Sequence, residues 1–471
     1  MDRITQTVGF RHIIKKIFLC LTTKDILSCR NVNTSFQNIL NDPRSWINRL
    51  AFVGLKDMKT KWIEAMDHLK ETTTIATKQK SKLLNCITNC LIKFHKEISI
   101  LKDGGRFFES VTDVSIEAGY DNVFKNVTLV HIAARFDNVE LLKFFRKLYS
   151  NEEFYSCNDL AIQPLHEAVI RGNIRSLKYL AEIQENVIAW DQVVLIAAAK
   201  GHMKMLKFAI DYLCGQRDFD INSFTMNSRE QSTPINLATL NRQLRVLKYL
   251  IPFSKNPFKS NFYGNTPLHI AAENGYIEIV KYLLALNHTP NPRSSNGNTP
   301  MIFAAQFNHL NVLKTLIPIS KNFLEEFNDE GWNVLHMSAF KGHLDIIKYI
   351  FKKCKNVPNI PNPISGTHAI DYAASYGYIE VVKYLAKRFP APIIIPNVFG
   401  VNAIHKASEN GHSKVVEFLF KFTSTPNDPV IGQPNDTPLN IAKRFNKFDV
   451  VEVIERLNRK SRPSRKRKRF D

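Results

Sequence analysis

The sequence predicts an all-α protein whose larger part is a solenoid of helix-turn-helix repeats with short β-hairpin tips. Three observations carry that prediction. One pattern recurs ten times, with starts at Thr128, Gln163, Gln192, Thr233, Thr266, Thr299, Asn333, His368, Asn402 and Thr437. The intervals are 35, 29, 41, 33, 33, 34, 35, 34 and 35 residues, the period of stacked two-helix units. The clearest copy, Thr266-Pro267-Leu268-His269-Ile270-Ala271-Ala272, is followed by Gly275 and then Ile279-Val280-Lys281-Tyr282-Leu283, which reads as helix, turn, helix. Hydrophobic residues make up 44% and charged residues 23% of the 471, a globular balance without the roughly 20-residue apolar run of a membrane span. Each unit of such an array touches only its neighbours, so it offers a long recognition surface and no buried catalytic pocket.

In chain order, residues 8–50 differ in kind from the repeats. Ile13-Ile14, Ile17-Phe18 and Leu21 make a helical stripe, and Thr23 or Asp25 caps a second helix through Ile26-Leu27. Phe36, Ile39 and Leu40 give a third stripe before Asp42-Pro43-Arg44-Ser45-Trp46. This order resembles an F-box, most strongly in Asp25-Ile26-Leu27-Ser28-Cys29-Arg30-x-Val32-x-x-x-Phe36 and the closing Asp-Pro-x-x-Trp. Gly9-Phe10 stands where that family opens with Leu-Pro. The resemblance implies docking on the Skp-type adaptor of a cullin–RING ubiquitin ligase, through Phe10, Ile13, Ile14, Ile17, Leu21, Leu27, Val32 and Trp46. The other reading is a helical cap on the first repeat.

Residues 51–121 read as a helical linker, through Trp62-Ile63-x-x-Met66 and Leu83-Leu84-x-x-Ile87-x-x-x-Leu91. Within it Cys86 and Cys90 are one helical turn apart. No second Cys or His pair stands at zinc-finger spacing, so two core thiols are expected and no metal. Seven scattered cysteines and no signal-like apolar core at the N-terminus point to free thiols in a reducing compartment.

Residues 122–457 carry the repeats, and their spacing with Thr-Pro-Leu-His at the head resembles the ankyrin repeat. Thr266, Thr299 and Thr437 are suited to cap the first helix, with Pro267, Pro300 and Pro438 at its first position, where no N–H is needed. Alanine pairs such as Ala271-Ala272 let adjacent repeats approach. Gly172, Gly201, Gly275, Gly342, Gly377 and Gly411 mark the turn, and Val280, Leu283, Ile347, Ile350, Val382 and Leu385 form the stripe of the second helix. His131, His166, His269, His336 and His405 share one repeat position. The resemblance implies that this His tethers neighbouring loops, and its repetition argues against acid–base catalysis.

Some copies are eroded. The third has Gln192-Val193-Val194-Leu195 at its head, and the fourth has Arg242 in place of the turn glycine. The long interval between them includes Cys214-Gly215-Gln216-Arg217-Asp218, read as a tolerated surface insertion. In the last copy Lys443, Arg444 and Lys447 replace apolar residues of the second helix, as a solvent-facing end repeat needs.

The net charge is +21, and the tail 458–471 concentrates it. Arg465, Lys466, Arg467, Lys468 and Arg469 read as a nuclear import signal, which places the protein in nucleus, cytoplasm or both. No Gly-rich phosphate loop, nucleophile elbow or metal cluster is found, so neither an enzyme nor a cofactor is expected. No repeat position is read as a Lys/Arg ladder interleaved with aromatics, and nucleic acid and membrane are not expected as partners. The predicted function is a monomeric substrate receptor within a larger ligase complex, with a non-enzymatic ankyrin scaffold or nuclear interaction protein as the second reading. For client binding the candidates are the tip aromatics Phe262, Tyr263, Trp332 and Phe399, and the first-helix edge aromatics Phe307, Phe340 and Tyr376. Phe307, Trp332, Phe340 and Tyr376 are expected to form one continuous strip.

Overall fold

The computed structural model describes residues 60, 62–67, 77–102 and 128–461, the last span with breaks at 158–161, 184–187, 215–218, 226–230, 287–288, 355–356, 390–394, 423–427, 431–432 and 434. The candidate adaptor face from Phe10 to Trp46, most of the insertion after Cys214 and the basic run Arg465–Arg469 lie outside the described residues. The chain divides into two compact units, Met1–Lys255 and Asn256–Asp471.

The first unit opens with residues 62–67, which are helical, and α1 (Thr77–Lys102). Four helix pairs follow: α2 (Leu129–Arg135) with α3 (Val139–Leu148), α5 (Pro164–Arg171) with α6 (Ile174–Ile183), α7 (Trp190–Lys200) with α8 (Met203–Leu213), and α9 (Pro234–Leu240) with α10 (Leu244–Leu250). The short α4 (Asn151–Phe154) stands between the first two pairs. The second unit holds six pairs: α11 (Pro267–Glu273) and α12 (Ile277–Ala285), α13 (Pro300–Gln306) and α14 (Leu310–Leu316), α15 (Val334–Phe340) and α16 (Leu344–Lys353), α17 (Ala369–Ser375) and α18 (Ile379–Arg388), α19 (Ala403–Asn410) and α20 (Ser413–Leu419), and α21 (Pro438–Arg444) and α22 (Phe448–Ser461). The ten pairs match the ten sequence copies. No strand forms among the described residues; the tips close by turn hydrogen bonds instead, as where the Asn261 N–H donates to the Asn265 carbonyl at 3.0 Å.

Most first helices have only seven residues, too few to be stable alone in water. They persist because both faces are covered. Leu268, Ala271 and Ala272 of α11 are fully buried, as are Val280 and Leu283 of α12. Alanine at the packed face lets neighbouring first helices lie close, so overpacking there would drive them apart.

Helix starts are held by a reciprocal box. In α11 the His269 Nδ1 accepts from the Thr266 backbone N–H at 3.1 Å, which leaves the proton on Nε2, and Nε2 donates across the repeat boundary to the Asn298 carbonyl at 3.0 Å. His131 does the same to Ile162 at 2.8 Å, and His405 to Asp428 at 3.0 Å. For His336 the facing carbonyl is Ile360's, and the geometry falls short of a full hydrogen bond. The Nε2 of His166 has no partner among the described residues. In the eighth copy the box is rewritten: the His368 N–H donates to Asp371 Oδ2 at 2.8 Å, so an aspartate holds the place of the histidine.

A second, unanticipated set of tethers sits just after the turn. The His309 Nε2 donates to the carbonyl of Glu273, the last residue of the preceding first helix, at 2.8 Å. His202, His343 and His412 donate likewise to Ile170, Gln306 and Ser375 at 3.0, 3.3 and 3.0 Å. Asn173 reaches two carbonyls, of Ala134 and Arg135, both at 2.8 Å. Each supplies from the next repeat a donor for carbonyls that a helix end leaves unmet. The turn glycine makes room for this. Gly275 has a left-handed φ of 71°, and a Cβ there would strike the His309 ring.

Three expectations need correction, while the turn with Arg242 in place of glycine forms as read. The third first helix begins at Trp190 rather than after Gln192, because without a Thr-Pro start the helix runs back to bury that ring. Arg242 keeps the left-handed turn geometry of the missing glycine, φ 57°, at a steric cost of about 1–2 kcal/mol. Lys443 and Arg444 are exposed at the end of the first helix α21, and Lys447 lies just before α22, so the polar substitutions are not in the second helix. A Lys register does run along the second helices: Lys143, Lys178, Lys207, Lys248, Lys281, Lys314, Lys348 and Lys383, all exposed, mostly with an aromatic next in sequence. That register is hidden in a helical-stripe reading because it falls just outside the apolar face.

The linker helices cover the first repeat. Trp62, Ile87 and Leu91 are fully buried, and Trp62 meets Phe145 edge-on at 5.9 Å. Cys90 is a core thiol that accepts from Asn138 at 3.5 Å, and burial pushes its pKa up to about 12. No described helix is long and apolar enough to cross a membrane.

Two predictions follow from these tethers. Gly275→Ala combines backbone strain with the collision at His309, so we expect a loss of about 2 kcal/mol by urea unfolding, against less than about 0.5 kcal/mol for an exposed helix position. Burial lowers the pKa of His336 to about 4, whereas in the unfolded chain it titrates near 6.5. The unfolded state therefore binds the extra proton first, and this contribution is full above pH 6.5 and is lost as pH falls through 4. His336→Gln keeps one acceptor and one donor but does not titrate. The stability difference between wild type and this variant should therefore shift in the variant's favour between pH 7 and pH 4.5, and a constant difference would refute it.

Candidate binding surface

The exposed rings gather on the tips and first-helix edges of the second unit. Four of the tips are tight loops headed by an Asx turn, at Asn261, Asn328, Asn362 and Asn397, and Ser294 heads another. Asn328 Oδ1 accepts from the Glu330 and Trp332 N–H groups at 3.1 and 2.8 Å, and Gly331 takes a left-handed φ of 77°. Asn261 and Asn397 do the same for their tips. Tips are also bound to one another. The Ser295 N–H donates to the Tyr263 carbonyl at 3.0 Å, Asp329 to Asn296 at 3.2 Å, and Val398 to Ser365 at 3.0 Å. Side chains add to this, Asn328 to Asn298 Oδ1 at 2.8 Å and Asn362 to the Glu330 carbonyl at 2.9 Å. Trp332 therefore rides on a loop pinned from both sides.

Around Trp332 a connected ring cluster forms. Its indole lies 4.5 Å from Tyr372 and meets Phe340 edge-on at 4.7 Å. Phe340 in turn meets Tyr376 at 4.6 Å and a 78° angle, and Tyr376 lies parallel to Tyr378 at 6.4 Å. Lys341 Nζ stands 5.0 Å over the Phe340 ring. Trp332 and Phe340 are half-buried by these contacts, while Tyr376 is 50% exposed. Tyr372 is anchored by its hydroxyl, which accepts from Asn362 at 3.2 Å, and burial raises its pKa. It was not among the expected residues, since one turn inside the helix it reads as core.

Three of the four rings expected to form a strip are thus brought together, and the fourth is not. Phe307 is 45% exposed, and no ring contact joins it to the cluster among the described residues. Phe307 occupies the residue after its first helix, and the next repeat has Lys341 at that register, so no ring follows it. Phe262 and Tyr263 pair edge-on at 5.6 Å on their own tip, and Phe399 stands 67% exposed beside Val398 on another. The arrangement is an apolar, aromatic surface framed by polar tip residues such as Asp329, paired with Arg293 at 3.3 Å. Its chemistry suits a protein segment with apolar side chains.

The family described as ankyrin repeats matches the windows 194–294, 243–323, 284–362, 319–397 and 370–460, and the F-box domain matches residues 11–48. The first two helix pairs lie before these windows and share their geometry. Among solved structures the chain is similar to the ankyrin repeat domain of Bcl-3, described as a member of the IkappaB protein family. That similarity is 19% identity over 48% of this chain and 100% of that one, with a TM-score of 0.40. No curated protein is matched.

The cluster should separate stability from display. Trp332→Ala removes a ring wedged between Tyr372 and Phe340 and is expected to cost about 2 kcal/mol. Tyr376→Ala should cost less than about 0.5 kcal/mol. Denaturant titration of both variants checks this, and equal losses would mean that Tyr376 is a packing residue.

Proposed function

The chain belongs to the ankyrin-repeat family and carries an F-box domain, and from that pairing we propose that it is the substrate receptor of a cullin–RING ubiquitin ligase. Both modules are protein-interaction modules. In this reading the F-box segment docks a Skp-type adaptor through Phe10, Ile13, Ile14, Ile17, Leu21, Leu27, Val32 and Trp46, and the repeats hold the client. The receptor supplies no catalytic group. It raises the effective concentration of the client at the ligase, which can far exceed what free encounter gives.

The observation that carries the reading is the presence in one chain of the F-box at 11–48 and a repeat array with a displayed aromatic cluster. Trp332, Phe340 and Tyr376, joined by Tyr372, are the proposed client anchors, with Phe262, Tyr263, Phe307 and Phe399 as outlying apolar contacts. Large rings near an interface centre are the usual energetic anchors. The run Arg465–Arg469 is proposed as an import signal.

Co-purification of the full chain with the Skp adaptor tests the proposal. Ile17→Asp with Leu27→Asp should abolish capture of the adaptor, and circular dichroism should report unchanged helicity of the array. Undiminished adaptor binding by this folded double variant would leave a scaffold function as the reading.

A further inference from the structure

The outer faces of three successive second helices differ sharply from their counterparts elsewhere in the chain. Arg175 and Lys178 on α6, Lys204 and Lys207 on α8, and Arg245 and Lys248 on α10 are all exposed and occupy the same two registers. Arg171, Lys200 and Arg242 precede them by one turn. No acid shares those positions. On these helices the acids, exposed Glu182 and Asp211, come four residues after Lys178 and Lys207, and Asp137 of the preceding repeat accepts from the Ser176 N–H beside Arg175 at 2.9 Å. Arg175, Lys178, Lys204, Lys207 and Arg245 make no ion pair among the described residues. In the second unit the same registers are mixed. Glu278 binds Lys281 at 3.3 Å, Glu380 binds Lys383 at 2.8 Å, and Asp345 precedes Lys348.

Stability does not explain the difference. The first turn of a helix favours acids, since the macrodipole is positive there, and Arg175, Lys204 and Arg245 each sit in it. We propose that this basic band is a docking site for an Asp/Glu-rich segment of a protein partner. Lys178 lies over the Phe208 ring at 5.4 Å, and Lys207 over Tyr249 at 5.7 Å, each reaching the next repeat. The rings hold the cations in place, which lowers the entropy lost on binding. They also argue for peptide over single-stranded nucleic acid, because faces covered by lysine do not stack on bases. Helices packed roughly 8–10 Å apart match a peptide in the polyproline II conformation, which rises roughly 3.1 Å per residue with three residues per turn, so every third side chain, a carboxylate, meets one repeat. The inference goes beyond the ligase reading and stands whether or not the F-box docks an adaptor.

The test uses the full chain with Arg465–Arg469 replaced by glutamine in every arm, because that run would itself hold a polyanion. The probe is a labelled peptide of repeated Glu-Ser-Ser triplets. The variant Arg175→Glu, Lys204→Glu, Arg245→Glu places at each site the residue type that Glu278, Asp345 and Glu380 show to be compatible with the fold. It should be at least as resistant to heat as its parent and bind the probe about tenfold more weakly or worse. Lys281→Glu with Lys383→Glu should change affinity less than about twofold, and parental binding should weaken with salt. If the triple glutamate variant loses helicity, the corresponding triple glutamine variant takes its place, with a smaller loss expected. Undiminished binding by a folded triple variant overturns the proposal. So does tighter binding of oligo-deoxythymidine than of the peptide, lost in the same variant, which would make the band a nucleic-acid site.

Discussion

Half of the repeats finish the helix of the one before through a polar tether. A seven-residue helix leaves most of its terminal carbonyls without intrahelical partners. In this chain the residue after the turn supplies the donor: Asn173, His202, His309, His343 and His412 reach back to the preceding first helix. The turn must then pass very close to that side chain, which is why glycine with a left-handed φ recurs there. Asp137, Arg242, Asn308 and Asn446 take the same geometry with a side chain, at positions 54–62° in φ. Asn and Asp bear this conformation with little penalty, and arginine does not.

Because the tethers and the alanine faces fix the stack, the remaining surfaces are free to diverge. The tips and first-helix edges of the second unit display aromatic rings, while the second helices of the first unit display exposed cations. As proposed binding surfaces, the two would recognise partners in different ways. Rings in a pinned cluster contribute desolvated contact area and residence time. Exposed cations act at longer range on association rate and on the sign of the partner.

Much of the fold was legible because it rests on local rules. Thr266 with Pro267, the alanine pair and Gly275 each have one structural meaning at ankyrin spacing, and the ten helix pairs follow. The tether from His309 was not legible, since its acceptor lies in the preceding repeat and a His after a turn has no local signature. The helix start at Trp190 was missed for a related reason: burial of the ring outweighed the expected cap. At the candidate surface, three of four strip residues were readable from register alone. Phe307 was misjudged because whether rings meet depends on the next repeat's residue at that register, which is Lys341. The basic band was overlooked because lysines outside an apolar stripe look like ordinary solvated charge until neighbouring helices line them up.

The aromatic cluster also lies beside two incompletely satisfied polar groups. Trp332 and Phe340 flank the box of His336, whose outer nitrogen falls short of a full bond. Tyr372 follows Asp371, whose carboxyl is pushed up to about 7 by burial and has an oxygen without a partner among the described residues. A neutral carboxyl there resembles the histidine it replaces, since it can both accept and donate. Both groups lie at the boundary between the seventh and eighth repeats, which Asn362 also spans to the Glu330 carbonyl at 2.9 Å. Here the rings themselves hold that boundary, through the Trp332–Tyr372 and Phe340–Tyr376 contacts that cross it. A partner covering those rings would bury more of the same apolar area and so add to the contacts that hold this boundary. The proposed client anchors and repeat-to-repeat cohesion thus share one set of side chains in the second unit, and in the first unit Lys178 and Lys207 of the basic band likewise reach rings of the next repeat.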